Sequence, residues 1–121
     1  MIICITSQGK NLESKTDPRF GRCSYFILID PEKMEFEAVE NSNAQGAGGA
    51  GIQSGQLMVE KNVEVVLTGN VGPNAYQTLN AGGIRVITGI SGSVQEVVEK
   101  YKQGQYKSTD GANVETHFGL K

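Results

Sequence analysis

The chain has 121 residues, with 11 Lys and Arg against 13 Asp and Glu for a net charge of -2, which fits one domain with a sizeable core but not two. No basic surplus marks a nucleic-acid footprint, and no apolar run approaches the length of a membrane span. Tryptophan is absent and aromatics make up only 7% of the chain, which weighs against a site built on base or sugar stacking.

Met1 to Thr6 is too short for a signal peptide and has no basic lead, so the cytoplasm is the expected compartment. Within it, Ile2 to Thr6 is a β-branched apolar run, expected as a strand buried on both faces. Cys4 lies mid-strand and reads as a small buried hydrophobe. Cys4 and Cys23 together form neither a metal-binding spacing nor a disulfide framework, and both are expected as free thiols.

Ser7 to Arg22 is a long polar connection, and a connection of that length without a pattern of its own is usually functional or mobile. It ends in Asp17-Pro18-Arg19-Phe20-Gly21-Arg22. Here Asp17 is expected to pair with an arginine and pin the loop, with Phe20 as its apolar anchor. For Arg19 and Arg22 two readings stay open: structural pairing, or a fork of donors facing an anion. Cys23 follows Arg22 at the mouth of a strand, where nearby positive charge would lower its pKa. That makes it a candidate ligand for iron or a cluster, against the plainer reading of a packing cysteine.

Tyr25 to Asp30 and Met34 to Glu40 are expected as an antiparallel hairpin around Pro31-Glu32-Lys33, with the second strand at an edge. In that second strand Met34, Phe36 and Ala38 should share one side.

Asn41 to Gly55 is then poor in side chains and rich in glycine, with Gly46, Gly48, Gly49, Gly51 and Gly55 among small and amide residues. An apolar helical stretch follows at once, carrying Ile52, Leu57, Met58 and Val59. The loop should therefore open a helix whose free N–H groups suit an anion. A flexible surface loop is the competing reading. Gly46-Ala47-Gly48-Gly49-Ala50-Gly51 formally fits G-x-G-x-x-G, but it does not directly follow its strand. The next strand also ends in Leu67-Thr68-Gly69 with no acidic residue for a ribose, so a dinucleotide site is disfavoured. No P-loop pattern is present.

From there the pattern becomes strand–helix alternation. Val63 to Thr68 is a strand. Pro73 to Ala81 is a helix with Pro73 at its first position and Gly82-Gly83 as its stop. Ile84 to Thr88 is a strand. Ser93 to Gln103 is a helix with a Ser93/Glu96 capping box, an apolar face of Val94, Val97, Val98 and Tyr101, and Gly104 as its stop. Thr68-Gly69-Asn70-Val71-Gly72 and Thr88-Gly89-Ile90-Ser91-Gly92 share Thr-Gly-x-x-Gly, each between a strand and its following helix. Parallel pairing would put both turns at one sheet edge, where open α/β sheets bind ligands. These turns and the long polar loop are expected to surround one crevice. Residues 1–103 read as one α/β domain, and 104–121 as a C-terminal tail with one histidine, His117.

Asp17-x-Arg19-Phe20-Gly21-Arg22, the strand Tyr25–Asp30, the Asn/Gly loop, and Gly69-Asn70-Val71-Gly72 followed by Leu79…Gly82-Gly83-Ile84 together resemble the dinitrogenase iron–molybdenum-cofactor biosynthesis family over about positions 1 to 103. The resemblance implies an RNase H-like three-layer α/β fold: a mixed five-stranded sheet of order 3-2-1-4-5 with three helices. It also implies a small non-catalytic binding or carrier protein for an anionic iron–sulfur or iron–molybdenum cofactor precursor, working with cofactor-assembly proteins. The ligand-binding set is then Arg19, Arg22, Asn43, Gln45, Gly46, Gly48, Gly49, Gly69, Asn70, Gly72, Gly89 and Gly92. Members often place a histidine in the Asn/Gly loop, where this chain has Gln45 or a neighbour, leaving Cys23 and His117 as metal-ligand candidates. A metal-free sensor or adaptor for a small anionic metabolite is the alternative. A two-metal nuclease is disfavoured, because Ile2 to Thr6 has no acid and Val63 to Thr68 has only Glu64, at its start. No catalytic constellation appears, and no enzyme is expected.

Overall fold

The computed structural model describes residues 1–42 and 50–108. In chain order the elements are β1 (Ile2–Ser7), β2 (Tyr25–Asp30), β3 (Glu35–Glu40), α1 (Ala50–Glu60), β4 (Val63–Leu67), α2 (Pro73–Ala81), β5 (Arg85–Ile87) and α3 (Val94–Lys102). The strands form one mixed sheet in the order β3-β2-β1-β4-β5. β1 pairs antiparallel with β2 and parallel with β4, with Cys4 opposite Leu28 on one side and Val66 on the other. The connection after β1 leads to the hairpin on one flank, and the chain returns to β4 on the other. β1 is thus the central strand, and its apolar run is buried from Ile3 to Ser7.

Alternation along the strands divides the core in two. Cys4, Phe26, Leu28 and Val66 face a layer made by Met58 of α1 with Ala75 and Leu79 of α2. Ile3, Ile5, Ile27, Ile29, Val65 and Leu67 face the other way, under Val94, Val97 and Val98 of α3. α1 and α2 approach closely because glycines of α1 face α2. A Cβ on Gly51 would sit 3.1 Å from Ala75 Cβ, and one on Gly55 would sit 2.8 Å from Thr78 Cγ2. The α3 capping box forms as the sequence indicates, with Glu96 N–H donating to Ser93 Oγ at 3.1 Å and Ser93 N–H to Glu96 Oε1 at 2.9 Å.

The hairpin differs at one residue from its expected span. Met34 has φ 58° and donates its N–H to Asp30 O at 2.7 Å, so it closes the turn and β3 begins at Glu35. Asp30 Oδ1 accepts the N–H groups of Glu32 and Lys33, and these local bonds hold the turn. The expected apolar side is correspondingly incomplete, since Phe36 remains 41% exposed at the sheet edge. β5 is also shorter than its apolar run. Ile84 N–H bonds back to Leu79 O at 2.9 Å, so Ile84 completes the end of α2.

Candidate functional site

The long polar connection after β1 folds back as a strap over the C-terminal ends of β1 and β4, and it closes the first of the two expected glycine turns. Asp17 N–H donates to Thr6 O, Asn70 N–H to Pro18 O at 2.6 Å, and Phe20 N–H to Asn70 O at 3.2 Å. Thr6 Oγ1 donates to the Asp17 carbonyl at 2.6 Å and lies 2.9 Å from the Thr68 hydroxyl. Further along, Thr16 N–H bonds Gly92 O, while Val94 and Gln95 donate to Ser14 and Leu12 carbonyls. The strap therefore ties β1, β4 and α3 together.

This strap redistributes the expected ligand residues. Gly69 faces Pro18, whose Cα would be 2.6 Å from a Cβ there, so its missing side chain is filled by protein. Gly89 N–H bonds Gly69 O at 2.9 Å. Arg19 and Asn70 form an isolated bridge, and Arg19 Nε pairs with the buried Asp17 carboxylate at 3.2 Å. That carboxylate is the largest cause of the upward pKa shift of Arg19. Asp17 and Phe20 thus act as a pin and an apolar anchor, Phe20 lying 5.7 Å from Phe26 between ring centroids. The second turn stays open: a cavity of about 530 Å³ lies between the strap at Glu13 to Pro18 and the turn at Ile90 to Gly92, with Glu96 beside it.

Arg22 and Gly72 do come together. A smaller cavity of about 210 Å³ lies between the Phe20–Arg22 turn, Ala50 and Gly51 at the start of α1, and Gly72 to Ala75 at the start of α2. Two helix N-termini meet there. The first intrahelical bond of α2 runs from Tyr76 N–H to Gly72 O, and Gly72 provides no side-chain cap. The amides of Asn74 and Ala75 therefore precede the hydrogen-bond ladder. Both helices place the positive end of their dipoles at this cavity, and Arg22 adds a full charge. Gly21, at φ 91°, lets the turn close down on Gly51, its virtual Cβ 3.2 Å from Gly51 Cα. Ala50 and Gly51 lie at the glycine-rich helix opening expected to suit an anion, whereas Pro73 and Asn74 belong to the site although neither stood among the sequence candidates. The usable signal was Pro73 at a helix start lacking a capping side chain.

The turn is held from below by Asn41. Its Nδ2 donates to Gly21 O at 3.0 Å and Cys23 O at 2.9 Å, and its N–H to Ser24 O. Cys23 does not behave as a charge-activated thiol. It is fully buried in the same core cluster as Cys4, and burial, followed by the Asp17 charge, pushes its pKa up to about 12. The adjacent arginine points outward and is exposed. Burial likewise pushes the Cys4 thiol well up. Among the described residues no three His, Cys, Asp or Glu side chains gather as a metal site. Asn43, Gln45, Gly46, Gly48, Gly49 and His117 lie outside the described residues.

The model of the family described as dinitrogenase iron-molybdenum cofactor matches residues 1–104. The chain belongs to this family. It is similar to the apo orange protein of Desulfovibrio gigas, with 38% identity and a TM-score of 0.89 over 93% of this chain and 95% of that one. The NMR structure of a NifB-like Thermotoga protein of the DUF35 family shares 36% identity with a TM-score of 0.80, covering 95% and 98% of the two chains. An uncharacterized protein of Methanocaldococcus jannaschii is 30% identical over 95 residues, 76% of this chain and 80% of that one. The fold is accordingly that of the family, with the sheet order 3-2-1-4-5 and three helices. No helix among the described residues is long and apolar enough to cross a membrane.

Proposed function

We propose that this family member is a small non-catalytic binding or carrier protein for an anionic iron–sulfur or iron–molybdenum cofactor precursor, working in the cytoplasm with cofactor-assembly proteins. The observation that carries the reading is the meeting of two helix N-termini and Arg22 at one cavity. Family membership supports this class of cargo. Among the described residues the cavity wall holds no carboxylate, histidine or thiol. It offers N–H donors and positive charge. Those groups suit a cluster that arrives with its own sulfur or carboxylate ligands and is held by hydrogen bonds to them. Cys23 is buried with its proton held tightly, which is unsuited to capturing bare iron.

The test is loading of anaerobically purified protein with a preformed iron–sulfur cluster, followed by gel filtration with visible absorption. The wild type should retain the colour. Arg22→Glu should weaken retention about tenfold or more, the scale of one lost charge-assisted hydrogen bond plus repulsion. Cys23→Ala should retain it. Loss with Cys23→Ala and full retention with Arg22→Glu would reverse the assignment.

A second reading, a metal-free sensor or adaptor for a small anionic metabolite, is favoured by the same donor set. Amides and a guanidinium serve phosphate oxygen as well as sulfide. Inorganic phosphate raising the melting temperature in the wild type but not in Arg22→Glu, with no cluster retained, would select it.

A further inference from the structure

The opposite end of the sheet carries a third cavity, of about 440 Å³. It lies between the β2–β3 turn at Pro31 and Glu32, Arg85 at the start of β5, and the end of α3 with Tyr101, Lys102 and Tyr106. We propose that this cavity binds a small anion bearing a flat aromatic ring, of the nucleoside monophosphate class.

Its volume falls in the usual range for small-molecule sites, about 300–1,000 Å³. Two cations line it, and neither enters an ion pair among the described residues. The pairs there join Arg19 to Asp17, Lys61 to Glu37 and the chain start to Asp30. Arg85 Nε donates to Ser108 Oγ at 2.9 Å. That bond steadies the guanidinium and leaves its terminal nitrogens available to a bidentate acceptor such as a phosphate. The carbonyl end of α3 opposes an anion at this place, and Lys102 in its last turn offsets that dipole.

The ring specificity comes from two of the chain's four tyrosines. Gly104, at φ 72°, turns the chain after α3, with Gly104 N–H bonded to Tyr101 O and Gln105 N–H to Lys100 O. Tyr106 thereby joins Tyr101 on the wall of one cavity. Tyr101 is fixed through its hydroxyl, which donates to Met1 Sδ at 3.5 Å. Both tyrosines are half-buried, and neither stacks on another ring among the described residues, where the aromatic pair is Phe20 with Phe26. Each packs partly against the core beneath α3 and turns its remaining surface to the cavity, where a planar guest can lie against it. Glu32 adds an acceptor at the same wall for a sugar hydroxyl or ring amine.

The experiment is calorimetric titration of the full chain with AMP, adenosine and ribose 5-phosphate. AMP should bind at least about tenfold tighter than ribose 5-phosphate, which has the charge but no aromatic ring. Arg85→Gln should weaken AMP about tenfold and leave adenosine unchanged, the loss expected for one charged donor. Tyr106→Leu should weaken both AMP and adenosine. Arg22→Glu, in the other cavity, should leave AMP binding unchanged. AMP binding no tighter than ribose 5-phosphate, or AMP affinity within twofold of wild type in Arg85→Gln, overturns the proposal. Arg85 is exposed, so its replacement leaves the core intact.

Discussion

Asn41 and Cys23 set the turn that presents Arg22. Asn41 bonds two carbonyls from inside the fold, and the Cys23 side chain fills the space beneath. Asn41→Leu would orphan the Gly21 and Cys23 carbonyls, at roughly 1–3 kcal/mol for each buried group left without a partner. Urea unfolding should show that loss, and anion binding should fall with it as the turn loosens. The Cys23 thiol keeps its proton up to about pH 12 in the folded state, against 9.0 for an ordinary thiol. As pH rises from 9 the unfolded chain loses that proton first, so stability falls between pH 9 and about 12. At pH 8, iodoacetamide should modify neither cysteine in the native protein and both after unfolding. A native Cys23 that reacts at the rate of a free thiol would contradict the burial. Ser54 is the converse case, a buried hydroxyl with no hydrogen-bond partner among the described residues. Ser54→Ala should leave stability unchanged or raise it by up to about 1 kcal/mol in the same unfolding measurement, because it removes an unsatisfied group and gains helix propensity.

Among the elements, the strap after β1 decides which turns can meet a ligand. Its pattern-free sequence gave no sign of a place to dock, since its partners are carbonyls and amides of β1, the β4–α2 turn and α3. At Gly69 the strap backbone comes close enough that a Cβ would sit 2.6 Å from Pro18 Cα. Gly69→Ala should push Pro18 away and cost about 1–3 kcal/mol, as overpacking generally does. The strap amides of Asp17 and Phe20 should then lose hydrogen-exchange protection before the rest of the sheet. The capping box of α3 was legible in advance, because Ser93 and Glu96 act on backbone three residues away and need no tertiary partner. Ser93→Ala should cost about 1 kcal/mol by thermal or urea unfolding.

At the scale of the molecule, the sheet separates two helical layers, and its two ends carry separate cavities. The Arg22 cavity depends on how closely α1 and α2 pack. Gly55→Val would drive a side chain into Thr78, spread the two helices and separate their N-termini. Anion binding should then fall together with stability, whereas Arg22→Glu should lower binding with little change in melting temperature. Calorimetry on the two variants distinguishes the effects.

The sequence by itself determined the elements. Strand runs, helix periodicity, Pro73, Ser93 with Glu96, and the stop at Gly104 all act over a few residues, and the Asp17–Arg19 pin spans two. The strand order came only through the likeness of several motifs taken together. Tertiary structure decided where Cys23 points, although its polar neighbours Arg22 and Ser24 gave one sign of an inward residue. It also decided that Gly69 meets Pro18 rather than a ligand, that Arg22 joins two helix starts, and that Tyr101 and Tyr106 share a wall. The physical reason is range: caps and turns are set by bonds between near neighbours, whereas a binding surface is made where distant segments pack, and packing depends on every layer at once.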